Sequence, residues 1–468
     1  MNADVVRARI SELWDTAIIP QLMEFIRIPA KSPQFDPEWQ QHGYLDRAME
    51  LAAAWCRRQP IPGLTVEVVR LPGRTPLLFI EAPGSSDDCV LLYGHLDKQP
   101  EMAGWREGLD AWTPVLEGDK LYGRGGADDG YAVFSSLAAL QALHEQGMPV
   151  ARCLAIIEAC EESGSYDLPF YFESLAGRIG NVSLVICLDS GCGNYDQLWN
   201  TNSLRGLLAG NLHVEMLSEG VHSGDGSGII ASCFRIIRQL LGRLEDEQTG
   251  RVFPAAFNVD MPPQRLEQAA RAARVIGKNT YAHFPFISGA RPVSADPLEL
   301  ILNQTWRPAL SVTGAAGLPD LKDAGNVCLP MNAVRLSLRL PPTCDARKAA
   351  EYLKKLLEQD PPHGARVRFE VDQAAGGWNA AALSPWLEES VDRASRIFFG
   401  EPSVNMGEGG SIPFMGMLGE RYPEAQFVIT GVLGPHSNAH GPNEFLHIPT
   451  GKKLTCCVAQ ILADHYRA

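Results

Sequence analysis

Residues 89–100 read CVLLYGHLDKQP, a short apolar run that meets its polar residues only at the end. Such a run reads as a buried strand, and His95 and Asp97, one residue apart in extended chain, project to the same side of it. The texture recurs in LLFIEA from Leu77, in CLAIIEAC from Cys153 and in SLVICLDS, which ends near Asp189. Between them, YAVFSSLAALQALHEQG from Tyr131 spaces its apolar residues for a helix and stops at Gly147, a suitable C-terminal cap. Strands alternating with helices predict an α/β domain with a mostly parallel sheet. In open sheets of this kind the active site forms in the crevice beyond the carboxyl ends of the strands.

After Asp189 the pattern changes. LLAGNLHVEML, a helix near 231–244, a long Pro- and Gly-rich stretch, AVRLSLRLP, a charged helix from Ala346 and RVRFEVDQA suggest strand, helix, strand, strand, helix, strand. That order is an inserted α+β module. From about Pro385 the α/β texture returns, with a helix to Phe399, the strand AQFVITGVL and a closing helix from Thr450. The chain of 468 residues exceeds what one hydrophobic core usually supports. The expected division is a catalytic domain in two parts, 1–205 and 385–468, interrupted by a second domain at 206–384.

Composition narrows the function classes. With 41 Lys and Arg against 55 Asp and Glu, the formal charge of −14 repels phosphate backbones and anionic membranes, so nucleic acid is not an expected partner. Nowhere do eighteen apolar residues run together, which leaves no membrane span. The first thirty residues mix charges into a helical pattern and read as a first helix rather than a signal peptide. Eleven cysteines, several inside apolar runs and none in a CxxC pair, suit reduced thiols in a cytoplasmic protein.

The residues that carry chemistry cluster at predicted strand ends. Beyond His95 and Asp97, GRGGADDG places Asp128 and Asp129 in a glycine-rich turn, and EACEESGS puts Glu161 and Glu162 directly after a strand. Adjacent carboxylates near a low-dielectric crevice repel unless a cation neutralises them. Asp189 ends another strand, and GPHSNAHGPNE offers His436 and His440 after AQFVITGVL. Four strand ends would thus deliver imidazole or carboxylate to one edge of one sheet. Imidazole and carboxylate without thiolate suit zinc, or manganese or cobalt, in a hydrolytic site.

GHLDKQP, GRGGADD, EESGS, LDSG, GVHSGDGSG, GEGGSIP and AHGPNE, in this order and spacing, resemble the M20 metallopeptidase family, and within it the branch of carnosinase and cytosolic non-specific dipeptidase. The resemblance implies two divalent metal ions bridged by Asp128, with His95 and Asp189 completing one site and Glu162 and His440 the other. It implies that Asp97 braces His95, that Glu161 is the general base for a water between the metals, and that the Asp128–Asp129 peptide is cis. The second module resembles the family's lid and dimerisation domain. There His222 matches a histidine offered to the oxyanion from the partner of a homodimer, and Arg339 an arginine that binds substrate carboxylate in trans. Thr201 and Ser411 match substrate-contacting positions.

The sequence departs from that branch in having Gly130 where Lys often follows the paired aspartates and Gly407 where Arg often precedes EGG. QAAGGW also leads into Trp378 without the histidine expected there, and 251–290 matches nothing in the family. The expected activity is hydrolysis of a small peptide, with an N-acyl amino acid amidohydrolase or single-residue carboxypeptidase as the alternative. From other classes, an inactive dimeric binding or scaffold protein is opposed by the intact ligand set and Glu161. A two-metal phosphatase or nuclease is opposed by the acidic balance and the lack of an Arg or Lys cluster near the motifs.

Overall fold

The apolar runs do form one sheet. In the computed structural model, which describes residues 1–86, 88–410 and 412–467, six strands lie in the order Thr65–Val69, Leu77–Ala82, Arg152–Glu158, Cys89–His95, Val182–Cys187, Gln426–Ile429. The last four are mutually parallel, and the first two extend the sheet antiparallel at one edge. Every residue of Cys89–His95 is buried, because helices cover both faces. Alternate side chains divide accordingly. Val90 and Leu92 join a core with the helices Tyr131–Glu145 and Ile448–His465, while Leu91 and Tyr93 pack with Tyr171, Phe414 and Leu418 on the other face.

The inserted module has four antiparallel strands in the order Ala309–Ala316, Met331–Leu340, Gly206–Glu215, Arg366–Ala375. Helices Cys233–Leu241 and Ala346–Glu358 close one face, burying Leu208, Leu212 and Leu336 against Ile236, Leu240 and Leu353. Along the chain these elements run strand, helix, strand, strand, helix, strand, with three further α-helices between the first helix and the second strand. Leu336 is fully buried at the middle of this core. Leu336→Ala is therefore expected to destabilise the protein by about 2–5 kcal/mol through lost burial and a residual cavity, read as a lower urea midpoint.

The Pro- and Gly-rich stretch is not irregular throughout. It folds into helices Pro263–Ile276, Asn279–Ala282 and Pro297–Thr305. The first begins on a proline, whose fixed φ suits a helix start, runs through an Ala-rich window and ends at Gly277 with φ of 56°. Its Ala269, Ala272, Ala273 and Ile276 pack on Trp199 and Val404, residues of the paired strands Trp199–Leu204 and Val404–Glu408. That docking brings the stretch to the rim of the crevice.

Candidate metal centre

Four parallel strands point their carboxyl ends at one place. His95 is the last residue of its strand, Glu161 and Glu162 form the turn just beyond Glu158, and Asp189 lies two residues past Cys187. His440 comes from the loop after Gln426–Ile429, and Asp128 from the turn that opens the helix Tyr131–Glu145. The Asp128–Asp129 peptide is cis.

Two donor triads result, His95–Asp128–Asp189 and Asp128–Glu162–His440, the atoms within each lying no more than 4.8 Å apart. His95 Nε2 is 3.2 Å from Asp128 Oδ1 and 3.7 Å from Asp189 Oδ2. On the other side, His440 Nε2 is 3.0 Å from Asp128 Oδ2 and 3.3 Å from Glu162 Oε2. Asp128 thus gives one oxygen to each triad. The His95 Nδ1 meets the carbonyl of Asp97 at 3.0 Å. A carbonyl only accepts, so Nδ1 carries a hydrogen, which leaves Nε2 as the ring atom that would ligate an ion.

The electrostatics ask for cations. Burial first, then neighbouring acids, push Asp189 up to about 7 and Glu162 up to about 8. Loss of hydration and the nearby Asp189 raise Glu161 well above the carboxylate range. Burial opposes ionisation of Asp128 as well, but hydrogen bonds with His440 and His95 outweigh it and hold that carboxyl below its usual value. Carboxylates this crowded ionise together only beside added positive charge. The donor set, imidazole and carboxylate oxygen without sulfur, fits two divalent ions sharing Asp128.

A second layer fixes these side chains. Asp97 sits against His95 with both its carbonyl, at 3.0 Å from Nδ1, and its carboxylate Oδ1, at 3.5 Å. Its two carboxylate oxygens also accept the backbone N–H groups of Glu161 and Glu162 at 3.1 and 3.0 Å, which holds the turn bearing both glutamates. Gln99 donates to Glu162 at 2.6 Å. The buried pair Arg124–Glu444 joins the Asp128 turn to the His440 loop, with Glu444 also accepting from Gly125 N–H and Arg124 donating to the Gly441 carbonyl. Lys98, fully buried, donates to the carbonyls of Phe25 and Ile28, anchoring the stretch after His95 to the end of the helix Ile19–Ile26. Lys98, Gln99, Arg124 and Glu444 carry no signal of these roles in the sequence beyond lying inside or beside the motifs. Asp129 accepts from His95 N–H at 3.3 Å.

Beside the triads opens a cavity of about 480 Å³ lined by Gly191, Glu408, Arg205, Arg339 and the rim helices. Arg339 pairs in register with Leu207, next to the point where the chain enters the inserted module, so its side chain reaches the cavity of its own chain. Thr201 is buried in its strand, its hydroxyl pairs with that of Ser190 at 2.7 Å, and it does not line the cavity. His222 is exposed on the short strand Val221–His222, where its Nδ1 accepts from Gly224 N–H at 3.0 Å. No hydrogen bond or ion pair links it to either triad among the described residues. Ser411 lies outside the described residues. Both glycine departures have a steric cause: a Cβ at Gly130 would meet Phe25 at 2.3 Å, and one at Gly407 would meet Ser203 Oγ at 2.4 Å.

Residues 91–464 match the model of peptidase family M20/M25/M40. The chain belongs to that family. The resemblance carried by the seven motifs is thereby borne out, and this M20 chain is an enzyme of the peptidase class. It is 24% identical over 408 residues to the cysteinylglycine-S-conjugate dipeptidase of Corynebacterium striatum, covering 84% of this chain and 85% of that protein. It is 26% identical over 466 residues to the Beta-Ala-His dipeptidase of Homo sapiens, covering 95% and 89%. In fold it is similar to human carnosine dipeptidase 1, with a TM-score of 0.76 and 22% identity over 100% of both chains. The M20 family metallo-carboxypeptidase Sso-CP2 of Sulfolobus solfataricus gives the same TM-score at 18% identity, over 97% of this chain and 100% of that one. Among the described residues no helix of this M20 peptidase is long and apolar enough to cross a membrane.

Proposed function

We propose that this M20 peptidase is a dipeptidase with two divalent metal ions, most suitably zinc, with manganese or cobalt as substitutes. The observation that carries the reading is the pair of donor triads sharing Asp128, with Glu161 beside them and outside both. His95 and Asp189 would hold one ion, Glu162 and His440 the other. Ions bound there would polarise the scissile carbonyl and lower the pKa of water. Glu161 takes a proton from the attacking water and returns it to the leaving amine nitrogen, a transfer its position in the Asp97-clamped turn permits.

Among small amides, the cavity favours a free dipeptide over an N-acyl amino acid. Glu408 stands at its metal-proximal end, bonded to the N–H of Gly191, two residues past Asp189. Arg339 lines the same cavity. Carboxylate and guanidinium suit the ammonium and carboxylate of a zwitterion, whereas an acylated amine offers Glu408 no cation. The test is hydrolysis by metal-stripped protein given zinc, manganese or cobalt, with free dipeptides and N-acetyl amino acids side by side. Metal-dependent cleavage of dipeptides is the expected result, and Glu408→Gln is expected to lower kcat/KM for them by about tenfold or more. Exclusive cleavage of the N-acetyl compounds would make the amidohydrolase reading the right one.

The inserted domain, 206–384, serves in this proposal as lid and dimerisation domain. Exposed His222 is then supplied in trans to the oxyanion in a homodimer's partner site, a role consistent with its lack of any link to its own triads. The eleven free cysteines fit a reducing, cytoplasmic location.

A further inference from the structure

We infer that the helical stretch 263–305, which corresponds to no motif of the family resemblance, builds the subsite for the side chain of the substrate's C-terminal residue, and that this subsite selects polar, hydrogen-bonding side chains. The inference rests on the dipeptidase reading above, in which Arg339 takes the terminal carboxylate. The residue bearing that carboxylate must then place its side chain in the same cavity, whose far wall is made by Ile276, Asn279, Thr280, His283, Ile301 and Gln304. At about 480 Å³ the cavity lies within the usual range for small-molecule sites, about 300–1,000 Å³. It is larger than a glycine or alanine at that position needs.

The chemistry of the wall is specific. None of the six residues is acidic or a permanent cation. Ile276 and Ile301 are buried and give a hydrophobic floor, while Asn279, His283 and Gln304 stand exposed around it. The ring of His283 is oriented from within the segment, since its Nδ1 meets the backbone carbonyl of Asn279 at 3.0 Å. That carbonyl can only accept, so Nδ1 holds a hydrogen and Nε2 is the ring atom turned to the cavity's polar groups. With the side-chain amides of Asn279 and Gln304, the wall offers both donors and acceptors. An apolar side chain entering there strips water from these groups and returns no hydrogen bond, whereas an amide or hydroxyl replaces the water. The helix Pro263–Ile276 that leads into this wall is anchored, because Ala269, Ala272 and Ile276 are packed on Trp199 and Val404 and Arg265 donates to Asn379 and to the Ala380 carbonyl.

The experiment compares kcat/KM of the metal-loaded enzyme for Ala-Gln, for Ala-Leu of similar size, and for Ala-Gly. The wild type is expected to favour Ala-Gln over Ala-Leu by about tenfold. In the double variant Asn279→Ala/His283→Ala that ratio is expected to collapse toward one, through a higher KM for Ala-Gln at little-changed kcat. Both positions are exposed, so the substitutions leave the core intact. Cleavage of Ala-Gly with Ala-Leu equal to or better than Ala-Gln would overturn the subsite while leaving the dipeptidase standing. A double variant whose Ala-Gln to Ala-Leu ratio matched the wild type would do the same. Failure of the wild type to cleave any of the three with any metal would remove the dipeptidase reading and this inference with it.

Discussion

Replacing Glu161 by Gln is expected to reduce kcat by about 10³-fold, within the 10²–10⁴-fold span of general acid–base catalysis, while both metal ions remain bound. The reason is geometric. Glu161 belongs to neither donor triad, yet its backbone is fixed beside Glu162 by the Asp97 carboxylate, so the amide variant keeps the turn and loses only the basic oxygen. Loss of hydration and the proximity of Asp189 raise this carboxyl well above its ordinary range. The measurement is steady-state kinetics on a dipeptide with metal content determined on the same preparation. Near-normal turnover at full metal content would show that the base lies elsewhere. Loss of metal in parallel with turnover would show that Glu161 is itself a ligand.

How much of this site can be read from sequence depends on how locally each residue's role is determined. The five candidate donors could be picked out because each sits in a short motif, four of them following apolar strands whose ends a parallel sheet gathers at one edge and Asp128 in a glycine-rich turn before a helix. Arg339 could be named from its motif, while its place beside the cavity follows from its pairing with Leu207 at the crossing between the two parts of the chain. The Asp97 carboxylate catches amides 64 and 65 residues away, a relation no local pattern encodes. Glu408 reaches the site through the parallel pairing of Val404–Glu408 with Trp199–Leu204, again a property of register. The helix Pro263–Ile276 is a different case. Its proline start, alanine-rich body and terminal Gly277 were present in the sequence, but the surrounding prolines and glycines gave the whole stretch an irregular look. The antiparallel strand Leu77–Ala82 also shows the limit of composition: buried in the sheet between Thr65–Val69 and Arg152–Glu158, it is as apolar as its parallel neighbours, so its direction could not be read from it.

The substitution Asp128→Asn separates a shared site from two independent ones. Asp128 offers Oδ1 toward His95 and Oδ2 toward His440, so the amide takes one anionic donor from both triads at once. With three acids, Asp128, Glu162 and Asp189, and only two imidazoles in the triads, each triad depends on carboxylate charge to hold an ion. Asp128→Asn is accordingly expected to lose both ions and to lower activity at least as far as Glu161→Gln, whereas His440→Ala is expected to lose one ion and keep the His95–Asp128–Asp189 triad. Stability should follow the same division. A ligand that binds only the folded state at about 100 times its Kd adds about 2.7 kcal/mol, so added metal is expected to raise the Tm of the wild type and to leave that of Asp128→Asn unmoved. Metal content and thermal unfolding with and without added zinc check both statements. Two ions retained per chain in Asp128→Asn would mean that the triads do not depend on a common carboxylate, and the bridging role would pass to another group.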